Sequence, residues 1–163
     1  MENTNTQRRK LESPIFATDL IIEYTDNVGK YGIVLIDRKN YPYGLALPGG
    51  IYEKKDQITL EENAIKEGNE ETGLEIIIQN PNHPLTVRSS PYRDPRDHIV
   101  SVTYVTKGYG ILKPRPEEDA KAAYLFSIDE IVNMIKTKRN TFAFRDHPEI
   151  LEEYLIQKEY IKK

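Results

Sequence analysis

Between Pro48 and Leu74 the chain carries a helix whose two ends are both written in the sequence and whose last turn is crowded with like charge. Thr59 followed by Glu62 is a capping box, in which hydroxyl and carboxylate satisfy the first free backbone N–H groups reciprocally. Gly73 supplies the left-handed position that ends a helix. Inside that frame Glu67, Glu70 and Glu71 stand at i, i+3 and i+4, so their carboxylates share one face. They occupy the C-terminal turn, where the helix dipole disfavours each negative charge by ~0.3–1 kcal/mol. Two carboxylates about 6 Å apart repel by roughly 0.7 kcal/mol in water and ~3 kcal/mol at an effective dielectric of 20. Three of them at this end destabilise the free protein. A divalent cation removes that cost, because Mg²⁺ (or Mn²⁺) takes carboxylate oxygens and keeps positions open for phosphate and water. A solvated acidic face is the bland alternative, but it leaves unexplained why a tight Gly49-Gly50 turn precedes the helix and a sharp Gly73 stop follows it. The glycines let the backbone bend closely beside the helix, where the Gly50 carbonyl can join a metal shell.

The rest of the chain surrounds this helix with short strands. Phe16 to Tyr24 alternates, with Phe16, Leu20, Ile22 and Tyr24 on one face. Asp26-Asn27-Val28-Gly29 signals a turn, and Tyr31 to Ile36 is the hairpin partner. Tyr43 to Leu47, Leu74 to Ile78, Ile99 to Thr106 and Ala122 to Phe126 are the further strands, with a Pro-rich charged loop before Ile99. Ser127 with Glu130 opens a second helix whose Ile128, Ile131, Val132 and Ile135 form one stripe. A last helix follows Pro148 and buries Ile150, Leu151, Tyr154 and Leu155. Strands around one central helix, then two helices, predict an α/β sandwich on a mixed sheet rather than a doubly wound one. A chain of 163 residues suits a single domain, residues 14–163, after a polar N-terminal tail over 1–13 read as flexible.

Several classes fall away. There are no cysteines, which rules out disulfides, zinc ribbons and thiol nucleophiles and suits a cytoplasmic protein. No apolar run approaches the ~18 residues of a membrane span, so no membrane partner is expected. A net charge of −3 without a basic stripe argues against nucleic acid. An acidic protein that handles an anionic substrate needs a cation, which returns attention to the glutamates.

The segment resembles the Nudix box, a glycine, five residues, a glutamate, seven residues, then Arg-Glu-apolar-X-Glu-Glu-X-Gly-apolar. Gly50 matches the opening, and Glu67, Glu70, Glu71, Gly73 and Leu74 match the close, preceded by Leu47-Pro48-Gly49. The resemblance implies a Nudix-type α/β/α sandwich, metal-dependent hydrolysis of a nucleoside diphosphate derivative, and Glu67, Glu70 and Glu71 as metal ligands and catalytic residues. It also has departures. Asp56 stands where the box has glutamate, and the interval from it to Lys66 is two residues longer. Lys66 replaces the arginine that steadies a catalytic glutamate, keeping the charge but losing the planar fork. Gly68 replaces an apolar residue and is expected to loosen the helix by ~1 kcal/mol relative to Ala. Weakened activity is the expectation.

Beyond the box, Ser90 to Arg96 followed by Ile99 to Tyr104, and Phe142 to His147 followed by Ile150 to Leu155, resemble the ADP-ribose pyrophosphatase branch, although Arg145 interrupts the usual Phe-Asp-His. The resemblance implies a nucleotide-sugar substrate, ADP-ribose first, and a homodimer. The same chemistry on nucleoside triphosphates or dinucleoside polyphosphates is one rival; a weakly catalytic sensor that binds ADP-ribose is another. Arg93 and Arg96 either contact phosphate or ribose hydroxyls, or leave Asp94 and Arg96 to pair and fix their loop. Glu118, with Glu117 and Asp119, is either a second catalytic carboxylate or part of a solvated loop. Glu53 either binds the metal or faces solvent. His98 and His147 read as structural.

Overall fold

The computed structural model describes residues 13–115 and 119–162. The tail over 1–13 and the Glu117-Glu118 pair therefore lie outside the described residues, save Ser13. Strand β1, Ile15–Thr25, is the axis of the molecule. On one side it pairs in parallel with β7, Ile99–Tyr109, from Ile15↔Ile99 to Tyr24↔Gly108. On the other side it has two antiparallel partners in succession. Its first half meets β4, Gly49–Ile51, and its second half meets β2, Tyr31–Arg38. The divergence of β2 from β4 along β1 opens the sheet beside Thr18 and Asp19, and the site lies there.

The remaining strands extend this mixed sheet: β3, Leu45–Ala46, and β8, Ala120–Phe126, lie against β2, while β5, Glu75–Ile78, and β6, Thr86–Arg88, lie against β7. The hairpin turn is as its residues predict: the N–H groups of Val28 and Lys30 donate to Asp26 Oδ1 at 3.0 and 2.8 Å. The strand expected over Tyr43 to Leu47 shrinks to two residues, and the charged loop before Ile99 contains β6. Short strands of this kind depend on partners far along the chain and leave little local periodicity.

Alternation along β1 and β2 loads both faces. Leu20, Ile22, Tyr24 and Val34 pack under helix α1, Leu60–Thr72, with Ala64, Leu74 and Ile76. Ile21, Ile33 and Leu35 face helices α2, Ile128–Thr137, and α3, His147–Gln157. The result is an α/β/α sandwich. Ile150, Leu151, Tyr154 and Leu155 of α3 are fully buried, each contributing ~1.5–3 kcal/mol by leaving water. The hydroxyl of Tyr154 donates to Glu23 Oε1 at 2.8 Å, and Lys158 Nζ reaches the same oxygen at 2.7 Å, tying α3 to the sheet. Among the described residues no helix is long and apolar enough to cross a membrane.

Both capping boxes form as read, at Thr59/Glu62 and Ser127/Glu130, and Gly73 closes α1 at φ 74°. Gly68 corrects the sequence reading. It is buried, and a Cβ there would strike Leu20 and Ile76 side chains, so its absence lets α1 sit close on β1 and β5. The residue that loosens an isolated helix is a packing requirement of this one.

Candidate active site

Where β2 and β4 part, a cavity of about 220 Å³ opens between the end of α1, the Gly49-Gly50 strand, the end of β2 and the loops after β6, β7 and α2. Two of the three box glutamates line it. Glu71 is buried and accepts the Gly49 N–H at 2.8 Å, while Glu67 packs against Gly50 so closely that a Cβ on that glycine would occupy the carboxylate's place. Gly49 itself needs to be glycine: at φ 152° a Cβ would run into the Thr18 carbonyl across the β1–β4 pairing. The turn that the sequence marks is thus the surface against which both carboxylates rest.

Burial pushes the Glu71 carboxyl up to about 8, an effect that nearby Glu67 and Asp119 reinforce and that the Gly49 N–H and Arg38 oppose. A carboxyl held this way is short of positive charge. The third glutamate, Glu70, is half-buried on α1 and does not line the cavity. Among the described residues no three Asp, Glu, His or Cys side chains gather into a ready-made metal cage. The donor set nevertheless fits a hard cation that takes one or two carboxylates, a carbonyl and substrate oxygens rather than an all-protein shell. Glu67, Glu71 and the Gly50 carbonyl are that set.

Lys66 stands beside it. Its ammonium donates to Asp56 Oδ2 at 3.0 Å and lies 3.5 Å from Glu67 Oε1, and the hydrogen bond to Asp56 raises its pKa above the usual lysine value. A 3-10 turn, Lys54–Asp56, closed by Gln57 at φ 55°, sets Asp56 ahead of the longer interval that leads to Lys66. Lysine therefore bridges Asp56 to Glu67 as a point charge. Glu53 lines the cavity while half-exposed and paired with Lys55.

The other wall is basic. Arg38, Arg93 and Arg96 all line the cavity and surround the Phe144 ring, with guanidinium carbons 5.3, 5.9 and 5.6 Å from its centroid. Each has an acid of its own. Arg96 forks onto Asp94 at 2.9 and 2.7 Å, the pairing that the sequence left as one of two options, and this bond outweighs burial to hold Asp94 below the ordinary carboxylate range. Arg38 reaches Asp119 at 2.8 Å, and Asp119 stands in the cavity wall. Arg93 is almost wholly buried, 2.6 Å from Asp146 and 3.3 Å from Asp19.

Asp19, Arg38 and Phe144 were not singled out from the sequence. Asp19 had a signal: it is the one acid between Ala17 and Ile22 of an otherwise buried strand, and a charge placed there needs partners. Burial alone would push its carboxyl up; His147, Arg93 and the Ser101 hydroxyl outweigh that and hold it below the usual range. His147 is structural, as expected. Its Nδ1 accepts the Leu47 N–H at 3.0 Å, and its Nε2 stands 3.6 Å from Asp19, too far for a direct hydrogen bond. His98 likewise holds its own loop, with its ring Nε2 3.1 Å from the Ser89 carbonyl.

An acidic wall fit for a divalent cation facing the same cavity as three arginines defines a phosphate-handling site, and the sequence says which kind. Residues 17–147 match the NUDIX domain, and the chain belongs to the NUDIX family of hydrolases. An ADP-ribose pyrophosphatase of Methanocaldococcus jannaschii is 38% identical over 144 residues, covering 87% of this chain and 73% of that protein. Among solved structures, the NUDIX domain of Shewanella oneidensis NrtR complexed with ADP-ribose superposes with a TM-score of 0.71 at 16% identity, covering 96% of this chain and 95% of that one. An ADP-ribose pyrophosphatase from Streptococcus suis does so at 0.63 and 18%, covering 93% and 96%. At those identities the structures establish the fold, an α/β/α sandwich of the same family.

Proposed function

We propose that the chain hydrolyses the diphosphate of ADP-ribose: water attacks one phosphorus, the bridging P–O bond breaks, and AMP and ribose 5-phosphate leave. The observation that carries this is the single cavity in which Glu67, Glu71 and Gly50 meet Arg38, Arg93 and Arg96. The Methanocaldococcus jannaschii relative, by its name an ADP-ribose pyrophosphatase, supports the substrate. A divalent cation, Mg²⁺ or Mn²⁺, held by Glu67, Glu71 and the Gly50 carbonyl supplies charge neutralisation and activates water. Glu53, in the cavity wall, and Glu70, on the α1 face of Glu67 and Glu71 but outside that wall, are the further carboxylates of this proposal. Lys66 holds Glu67 in place, and Glu118 or Asp119 is the second carboxylate of the site. Arg96, a third of whose side chain is exposed, can present N–H edges to phosphate oxygens without leaving Asp94, whereas buried Arg93 orients the loop that bears it. A homodimer in the cytoplasm belongs to the same reading.

The test is product analysis on ADP-ribose, dATP and diadenosine polyphosphates, first with Mg²⁺ and then with Mn²⁺. ADP-ribose turns over fastest; a rate no greater than that on dATP overturns the substrate, and tight binding without turnover makes the chain a sensor. Glu67→Gln and Glu70→Gln each cost several orders of magnitude, and near-normal turnover removes the residue concerned from the assignment.

A further inference from the structure

Beside the phosphate cavity lies a second one, of about 480 Å³, in the size range of small-ligand pockets. Arg93 lines both, so the two are neighbours that share one side chain. The new cavity is walled by Tyr41, Tyr43, Tyr92, Pro95 and Arg145. Its three tyrosines are 57%, 69% and 87% exposed, a concentration of bare aromatic surface on a rim otherwise built from paired charges. Tyr41 and Tyr43 meet edge to face, with centroids 6.2 Å apart, so their contact takes up at most one face of one ring. Their loop is held to the phosphate cavity by Arg38, whose Nε donates to the Pro42 carbonyl at 2.9 Å. Arg145, the residue that interrupts the Phe-Asp-His pattern, is exposed and has no ion-pair or hydrogen-bond partner among the described residues.

A nucleoside diphosphate derivative bound by its phosphates in the first cavity has two ends left to place, a base and a sugar. Bases stack on aromatic rings and on the planes of arginines. We propose that Tyr41, Tyr43, Tyr92 and Arg145 form the nucleobase subsite, gripping the adenine by its faces. This rests on the reading of the chain as a hydrolase of an adenosine diphosphate sugar. It assigns the unpartnered Arg145 and the bare tyrosine faces to one ligand, and accounts for their position next to Arg93. The sugar's hydroxyls gain nothing from ring faces.

The two products separate the ends. Calorimetric titration of AMP and of ribose 5-phosphate, with Mg²⁺ present, is run on the wild-type protein and on Tyr43→Ala, Tyr92→Ala and Arg145→Ala. AMP binding weakens by about 5- to 150-fold for the tyrosine variants, the range for loss of one stacked ring. Ribose 5-phosphate binding is unmoved, and KM for ADP-ribose rises by the same factor as the AMP constant. Tyr43→Phe and Tyr92→Phe, which keep the ring, restore AMP binding, and Tyr109→Ala, on an exposed ring elsewhere, changes nothing. Unchanged AMP binding, or equal loss for both products, overturns the subsite; so does a tyrosine variant that changes the molecular mass by light scattering, which makes the patch an interface between copies. Failure of wild-type protein to turn over ADP-ribose instead strikes the reading beneath, and the AMP titration still reads the pocket.

Discussion

Glu71→Gln in metal-free protein isolates the electrostatic cost on which the site is built. The carboxyl is almost wholly buried and its pKa stands at about 8 when folded, against 4.5 for the unperturbed group. Below pH 4.5 both folded and unfolded chains hold the proton, and the residue costs nothing. Between 4.5 and 8 the folded state holds it and the unfolded state does not, so the unfolded chain binds fewer protons and stability falls as pH rises. Each pH unit through that window costs about 1.4 kcal/mol, on the order of 5 kcal/mol across all of it. Against a typical total of ~5–15 kcal/mol, this is large enough to measure. Glutamine keeps an acceptor for the Gly49 N–H and does not titrate. Urea unfolding of both proteins in chelator, at pH 6 and pH 8.5, gives the difference directly. The wild type loses ~2–3 kcal/mol relative to the variant over that interval. Mg²⁺ then returns much of the loss at pH 8.5 to the wild type and little to Glu71→Gln. Parallel pH profiles in chelator, or equal rescue of both proteins by Mg²⁺, refute the reasoning.

Three other substitutions separate packing from chemistry. Gly50→Ala puts a methyl where the Glu67 carboxylate rests; turnover on ADP-ribose falls by about 10- to 100-fold, as for a disturbed metal-supporting contact, while the urea midpoint barely moves. In Gly68→Ala, better helix propensity contributes ~1 kcal/mol, but overpacking against Leu20 and Ile76 costs ~1–3 kcal/mol. The variant is therefore less stable in urea, and a gain in stability sinks the packing role. Arg93→Met strands Asp19 and Asp146 without their shared cation; unfolding free energy drops by ~3–5 kcal/mol, and a loss under ~1 kcal/mol shows that the network is already solvated.

Features set within one turn of chain were legible before the structure. Thr59 with Glu62, Ser127 with Glu130, and Gly73 each act on backbone groups three or four residues away, so the residue pattern and the helix end are the same fact. The β1–β2 hairpin is legible for the same reason, since Asp26 bonds its own turn. The short strands β4 and β6 are not, because each exists only by pairing with β1 or β7 at longer range, whereas β3 was read within a strand drawn too long over Tyr43 to Leu47. Gly68 shows the limit within a helix that was otherwise read correctly. Propensity describes the helix alone, and the closeness of Leu20 and Ile76 belongs to the sheet beneath it.

The site divides along the same line. Glu67 and Glu71 share a face by helical spacing, and Gly49-Gly50 marks the turn they rest on, so the acidic wall is local information. Glu70 shares the same spacing and does not line the cavity, because i, i+3, i+4 fixes a face of the helix and only the sheet decides how much of that face looks inward. The basic wall depends on longer reach. Arg93 meets Asp146 across 53 positions and Asp19 across 74, and Ser101 meets Asp19 across 82. Spacing within the loop allowed Asp94 and Arg96 to pair, but could not tell that Arg93 would be buried while Arg96 stayed partly open. That difference assigns their roles: an arginine sealed between two carboxylates is spent on holding the loop, and the one with an open edge is left to meet phosphate.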